Sequence, residues 1–168
     1  ELPARELVSP NGKYSVFVRN HNLWLRSLDA TQTERTLTDD GEEHYAYGDA
    51  PNMVAAGPDL PGLSDLQVLW SPDSKKILAV QLDMRRVKSL PVVHHVPEDG
   101  SFRPQLEEYK FPMPGDAHMP EYRLVAINIE SGKLISAEYP PICFTYLFPF
   151  FTDGRGWWSV DNKCAYFV

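Results

Sequence analysis

Cysteine is scarce in this sequence: Cys143 and Cys164 are the only two in 168 residues. They are far apart and lack the C-x-x-C spacing of a zinc site, so metal binding through thiolates is not expected. One disulfide in an oxidising compartment, or two free thiols buried among apolar neighbours, are the readings left. Long apolar runs are also missing, and no stretch reaches the roughly 20 residues a membrane helix needs. The opening ELPARELVSPNGKY has no basic start followed by an apolar run, so it is not a signal peptide, although a removed one is compatible with it. The absent initiator methionine points to processing or to a cut boundary. Basic excess is lacking too: 16 Lys and Arg stand against 23 Asp and Glu, for a net charge of −7. Nucleic acid, whose phosphates demand a basic surface, is therefore excluded as a partner. Helical periodicity is hard to find anywhere, because segments such as QLEEYK are short and sit between Pro104 and Pro112.

Turn formers and β-formers are what the sequence does have. Fifteen prolines and ten glycines punctuate a chain that is 43% hydrophobic and 23% charged, the balance of a soluble globular domain. One pattern recurs three times: SPNGKYSVFV at 9–18, SPDSKKILAV at 71–80 and SVDNKCAYFV at 159–168. Each opens with Ser, carries Asn or Asp at its third position, has a Gly, Ser or Asn next, then Lys and a β-rich tail. Trp70 and Trp158 precede the second and third copies, where Val8 precedes the first. Pro presets φ, Asn and Asp bond back to the local backbone, and Gly or Asn tolerates positive φ, so the pattern predicts a β-hairpin. Further strand signals follow each copy, in HNLWLRSL (21–28), TERTLT (33–38), YRLVAINI (122–129) and LISAEY (134–139).

A repeated unit of four short strands is the blade of a β-propeller, which commonly takes roughly 40–50 residues. The expected fold is all-β: a partial β-propeller of about two four-stranded blades and the start of a third, with long insertions and one or two short helical turns. The expected division is blade 1 over 1–48, an insertion over 49–64, blade 2 over 65–138 and the opening of blade 3 over 144–168. A second insertion at 89–120, holding Pro91, Pro97, Pro104, Pro112, Pro114 and Pro120, is expected to form an extended hairpin around Glu98-Asp99-Gly100.

With the repeat placed, the sequence resembles the N-terminal β-propeller of dipeptidyl-peptidase-IV-type serine peptidases, in the prolyl oligopeptidase clan. The pieces that carry the resemblance occur in order: HNLWLRSLDATQTERTLTDDGEE, YAYGDA, VLWSPDSKKILAVQLDMRRV, YKFPMPGDAHMPEYRLVAINIESGK and GWWSVDNKCAYFV. The resemblance implies that the chain is a fragment of such a propeller. It also implies that the chemistry lies in a separate C-terminal α/β-hydrolase domain carrying a G-x-S-x-G nucleophile elbow. No such motif occurs here. In GWWSVD the spacing from Gly156 to Ser159 is wrong, and Ser159 is the turn serine of the repeat. The implied function is the non-catalytic propeller portion of a serine exopeptidase or oligopeptidase that gates peptide access, with peptide substrates and the hydrolase domain as partners. The alternative is a stand-alone propeller-like protein-interaction module. The fragment is expected to be inactive alone, without cofactor, and to come from a periplasmic or secreted protein. Exposed blade edges and faces near CFTYLFPFF and CAYFV are expected to drive self-association.

Family members that release N-terminal dipeptides grip the substrate amine with paired glutamates after the Tyr-Gly segment; the corresponding stretch here, 49–64, has no glutamate. Glu42-Glu43 lies before that segment and reads as a solvated turn. Arg85 and Arg86 are the substrate-binding candidates, because an arginine near a propeller mouth can hold a peptide carboxylate or carbonyl. His94 and His95 are neighbours on an expected strand and point to opposite faces, as do Glu107 and Glu108, so neither pair nor His118 is expected to form a metal site. The aromatic run 144–151 reads as core.

Overall fold

The computed structural model describes residues 6–48, 66–96, 100, 102–143, 151 and 154–167. Among them there is no helix, so the short helical turns expected from the sequence are not found. Four strands make the first sheet: β1 (Glu6–Val8), β2 (Tyr14–Arg19), β3 (Asn22–Ser27) and β4 (Glu34–Thr36), paired antiparallel in that order. Their alternation is clean. Leu23 and Leu25 are buried on one side of β3, while Trp24 and Arg26 lie on the other, as a period of two requires.

The second sheet is built on β7 (Lys76–Asp83) and β10 (Glu121–Asn128), which pair over eight residues from Lys76↔Asn128 to Asp83↔Glu121. Short strands share their outer edges. β5 (Tyr45–Tyr47) and β6 (Val68–Trp70) lie end to end along β7; β11 (Leu134–Ser136) and β12 (Ile142–Cys143) lie along β10. Tyr45–Tyr47, inside the segment 1–48, thus hydrogen-bonds into the second sheet rather than the first. Between β7 and β10 the chain leaves the sheet as a separate hairpin, β8 (Ser89–His94) with β9 (Gln105–Lys110), where the sequence placed an extended excursion. The last two strands, β13 (Gly156–Trp158) and β14 (Ala165–Phe167), form a hairpin of their own.

β7 explains how these layers stack. Six of its eight residues are buried, so both of its faces are covered. Ile77 and Ala79 face the first sheet, in a cluster with Val16, Leu23, Leu25, Leu37, Val125 and Ile127. Leu78, Val80 and Leu82 face the other way, in a cluster with Tyr122 and Leu124 against which Trp158, Ala165 and Phe151 pack. The fold is therefore an all-β partial propeller: one four-stranded blade, a second blade behind it, and the first hairpin of a third. The aromatic run was expected to be core; Phe151 packs as expected, while 144–150 lies outside the described residues. The buried thiols are corrected: Cys143 and Cys164 are both free and both exposed, Cys143 because it ends a two-residue edge strand and Cys164 because it closes a surface turn.

The three repeat copies fold alike down to single hydrogen bonds. In each, the serine hydroxyl donates to the Asn or Asp two residues on, at 2.8 Å for Ser9–Asn11 and 2.6 Å for both Ser71–Asp73 and Ser159–Asp161. The same hydroxyl accepts the N–H of Tyr14, Lys76 or Cys164 at 2.9–3.0 Å, and each serine N–H returns to that residue's carbonyl at 2.8 Å. The fourth residue of every copy has positive φ: +69° at Gly12, +60° at Ser74 and +58° at Asn162. Glycine takes that conformation without steric cost and asparagine tolerates it, whereas Ser74 is held in it by its own turn, its N–H donating to the Ser71 carbonyl at 2.8 Å.

The blades are also stitched together. Trp70 donates its indole N–H to the Leu7 carbonyl of the preceding copy at 3.0 Å, and Trp158 does the same to Leu69 at 3.4 Å. Asn11 N–H reaches the Ser74 hydroxyl at 3.1 Å, and Lys76 Nζ reaches the Asn162 carbonyl at 2.8 Å. All three turns are thereby held at one end of the stacked sheets.

Candidate functional site

The opposite end gathers the residues that the sequence singled out. Strands β2 and β7 both run away from their Ser-turns, so the Asn20-His21 turn, the loop 38–44, Arg85, Arg86 and the β8–β9 hairpin emerge there together. Asn20 and His21 both have positive φ, at +50° and +64°, making a tight reversal before β3. Asn22 then anchors the loop 38–44 from both sides. Its Oδ1 accepts from Gly41 N–H at 2.9 Å and from the Thr38 hydroxyl at 3.0 Å, while its Nδ2 donates to the Gly41 carbonyl at 3.2 Å. Gly41 is required by contact: a Cβ there would lie 2.3 Å from the His21 carbonyl oxygen.

A polar chain runs from exposed Asp40 in this loop to buried Tyr47 and Gln81. Gln81 donates to the Tyr47 hydroxyl at 2.7 Å, and that hydroxyl donates to Asp40 Oδ1 at 2.8 Å. Burial, reinforced by the Asp40 carboxylate, keeps the Tyr47 phenol protonated far above its ordinary range. Tyr47 N–H also reaches the His21 carbonyl at 3.0 Å, joining the ends of the two blades.

Arg85 sits at the rim and is fully engaged. Its Nη2 and Nε donate to the two Asp83 oxygens at 2.7 and 3.0 Å, its Nη1 donates to Glu42 at 3.1 Å, and the guanidinium carbon lies 3.9 Å from the Tyr45 ring centroid. The Arg85 hydrogen bonds hold the Asp83 carboxyl below the usual carboxylate range and raise the arginine further. Met84 N–H to the His44 carbonyl, at 2.7 Å, closes the same junction. Arg85 is therefore a clamp between β7 and the loop 38–44. Arg86 points elsewhere and lies 3.0 Å from His118 Nε2. The two candidate arginines are not brought together.

The other candidates at this end are likewise bound to separate partners. Glu42 forms an isolated bridge with Tyr45 and spends its carboxylate on Arg85, whereas Glu43 is exposed and lies 3.8 Å from His44. His94 pairs with Glu107 at 3.0 Å across the β8–β9 hairpin. Among the described residues, no group of three or more His, Cys, Asp or Glu converges as a metal site. Ser9, Ser71 and Ser159 give their hydroxyls to the turns, and none has histidine among its hydrogen-bond partners. The sequence reading missed Asp83, Asp40, Tyr47 and Gln81. The D-x-R spacing of Asp83 and Arg85 was the available signal for one of them; the Gln81–Tyr47–Asp40 chain left none, because Gln81 lies 34 residues from Tyr47 and only the sheet brings them together.

The family model of the dipeptidyl peptidase IV N-terminal region matches residues 4–146. Among curated proteins, the chain is 31% identical over 140 residues to the protein of Aspergillus terreus named Probable dipeptidyl-aminopeptidase B, covering 79% of this chain and 15% of that one. It is 30% identical over 142 residues to the protein of the same name in Emericella nidulans, covering 80% and 15%. The chain thus spans 15% of the length of these curated relatives. Among solved structures, the Porphyromonas gingivalis dipeptidyl peptidase 4 superposes with a TM-score of 0.64 at 23% identity, over 82% of this chain and 18% of that one, a likeness of fold. No helix of the described residues is long and apolar enough to cross a membrane.

Proposed function

The chain belongs to the N-terminal region family of dipeptidyl peptidase IV, and on that premise we propose that it is the non-catalytic propeller portion of a serine peptidase, limiting which peptides reach a hydrolase domain elsewhere in a longer protein. The observation that carries this reading is the state of its reactive groups. The turn serines are bound to carboxylate, amide and backbone partners, and Arg85 is bound by Asp83 and Glu42. Such groups build and brace a wall; they do not form a nucleophile with its base. The reading takes 1–48, 65–138 and 144–168 as successive blade segments, with 49–64 as an insertion and with Tyr45–Tyr47 crossing from the first segment to pair in the second blade, in a periplasmic or secreted protein. Peptide substrates and the hydrolase domain are its partners. Self-association of the isolated chain through its C-terminal region is part of the same reading, supported by the exposed Tyr166 and Phe167 on β14.

The test has two arms. The purified chain should not release chromophore from dipeptidyl substrates; turnover that a serine-directed inhibitor abolishes would overturn the non-catalytic reading. In the longer parent protein, loosening the blade junction with Trp70→Phe should raise hydrolysis of long peptides relative to dipeptidyl substrates. An unchanged ratio in a folded variant would overturn the gating role.

A further inference from the structure

The first Ser-turn differs from the other two in one functional group. Its third position is Asn11, where the second and third copies have Asp73 and Asp161. The side-chain oxygen is nevertheless held in the same way in all three. Asn11 Oδ1 accepts the Ser9 hydroxyl at 2.8 Å and the Lys13 N–H at 3.0 Å. Asp73 accepts the Ser71 hydroxyl at 2.6 Å and the Lys75 N–H at 3.1 Å, and Asp161 accepts the Ser159 hydroxyl at 2.6 Å and the Lys163 N–H at 3.2 Å. The hydroxyl bonds to the two carboxylates are the shorter ones, as charge-assisted bonds are. In the third copy the Ser159 hydroxyl and the Lys163 N–H hold the Asp161 carboxyl below the usual carboxylate range. Two donors aimed at one oxygen therefore favour a carboxylate at a position where the first copy has an amide.

Asn11 is also the one asparagine in the sequence that glycine follows; the others precede His21, Leu23, Met53, Ile129 and Lys163, whose side chains hinder approach to the next backbone nitrogen. Asn11 and Gly12 are exposed, and nothing lies within 4 Å of where a Cβ on Gly12 would stand. We propose that Asn11 is a self-deamidation site and that its turn directs the product to aspartate, the residue the other two copies carry. The Gly12 N–H, bonded to the Ser9 carbonyl at 2.9 Å, gives up its proton to hydroxide. Its nitrogen forms a bond to Asn11 Cγ, the Cγ–Nδ2 bond breaks, and ammonia leaves with a proton from water, closing a succinimide. Water then adds at Cγ, the bond from Cγ to the Gly12 nitrogen breaks, and a proton returns to that nitrogen. Water is consumed, ammonia is released, nothing is oxidised, and the chain gains one negative charge. In both steps negative charge builds on Oδ1, where the Ser9 hydroxyl and the Lys13 N–H already point. Water attack on the other ring carbonyl, which comes from the Asn11 backbone, would give isoaspartate and a longer main chain. The two donors serve only the side-chain carbonyl, so they select aspartate.

The test incubates the full chain at mildly alkaline pH beside the peptide SPNGKYSV, in which no fold directs the outcome. Peptide mapping by mass spectrometry reads the gain of one mass unit at position 11, and chromatography separates aspartate from isoaspartate. Conversion at Asn11 is expected, with an aspartate-to-isoaspartate ratio about five-fold above that of the peptide, the effect of one net hydrogen bond. Ser9→Ala removes one of the two donors and should return the ratio towards the peptide's. Asn11→Asp, which installs the product directly, should keep the urea midpoint of the parent chain or raise it, and should keep the Tyr14 N–H, bonded to the Ser9 hydroxyl, as slow to exchange. The proposal is overturned if the folded chain keeps its amide after the peptide has fully converted, if the folded chain and the peptide give the same product ratio, if Ser9→Ala leaves the ratio of the folded chain unchanged, or if Asn11→Asp lowers the midpoint.

Discussion

Trp70→Phe isolates the contribution of one blade-to-blade stitch. Trp70 is buried in the cluster between the two sheets, and its indole N–H is aimed across the junction at the Leu7 carbonyl, 3.0 Å away. Phenylalanine keeps an aromatic ring there but removes the donor and part of the volume. A net hydrogen bond contributes about 1 kcal/mol. The incompletely filled space adds about 1–2 kcal/mol, by analogy with other large-to-small core changes. The expected total is about 2–3 kcal/mol. Trp158→Phe supplies the internal comparison. Its stitch to Leu69 is longer, at 3.4 Å, and its ring is only half-buried, so about 0.5–1 kcal/mol is expected. Urea unfolding followed by far-ultraviolet circular dichroism measures both, provided that the slope is unchanged and only the midpoint moves. The Trp70 variant should also lower Tm by roughly 5–10 °C, from a few degrees per kcal/mol for a chain of this size. If Trp158→Phe costs as much as Trp70→Phe, or if Trp70→Phe costs under about 0.5 kcal/mol, the indole does not hold the blades together.

Gly41→Ala should destabilise the chain by about 1–3 kcal/mol, since the added methyl meets a backbone carbonyl that cannot retreat; a neutral variant in the same urea titration would show that the loop 38–44 is not pinned. Ser71→Ala should cost about 1–2 kcal/mol and Ser159→Ala less, because Ser71 is fully buried while the third turn is exposed; equal losses would contradict that ranking. The pH dependence follows from Asp83. Its folded-state pKa is lowered by Arg85, so its contribution is present above the ordinary carboxylate value and is lost as pH falls through the depressed one. Stability should therefore drop on acidification below about pH 4, and Arg85→Met should flatten that drop. A variant with an unaltered acid limb would mean that the clamp is not formed in solution.

How much of this was legible in the sequence depends on the range of the interaction. The Ser-turns were fully legible, because every bond that closes one is made within five residues. The β8–β9 hairpin was legible for the same reason, its strands being flanked by proline and turn residues. The stitches were half legible. The tryptophan before each serine was visible, but its acceptor lies 63 or 89 residues away and is a backbone carbonyl, which has no letter in a sequence. Arg85 and Arg86 looked equivalent as neighbours; the fold separates them, because only Arg85 has Asp83 two residues before it on the strand and Glu42 delivered by the loop. The cysteines were misread because apolar neighbours in sequence do not bury a residue at a sheet edge or in a turn.

The two ends of the stacked sheets differ in what variation they allow. At the turn end, each serine hydroxyl, each Asn or Asp and each positive-φ residue is specified by local bonds, and the indoles fix one turn against the next. A change of length there would break the turn and the stitch together. At the other end the strands are already in register before the chain leaves them. β7 and β10 pair over eight residues with both faces of β7 covered, so whatever connects Asp83 to Glu121 need not contribute to the sheet. Closing a longer loop costs only about 0.6 kcal/mol per doubling of its length. That is why an entire hairpin is accommodated between two adjacent strands, and why the loops able to meet a partner emerge at that end. The Asn22 anchor, the Tyr47 chain and the Arg85 clamp then act as fixed points from which those loops depart. Rigid strands supply the register, and the open end supplies the surface.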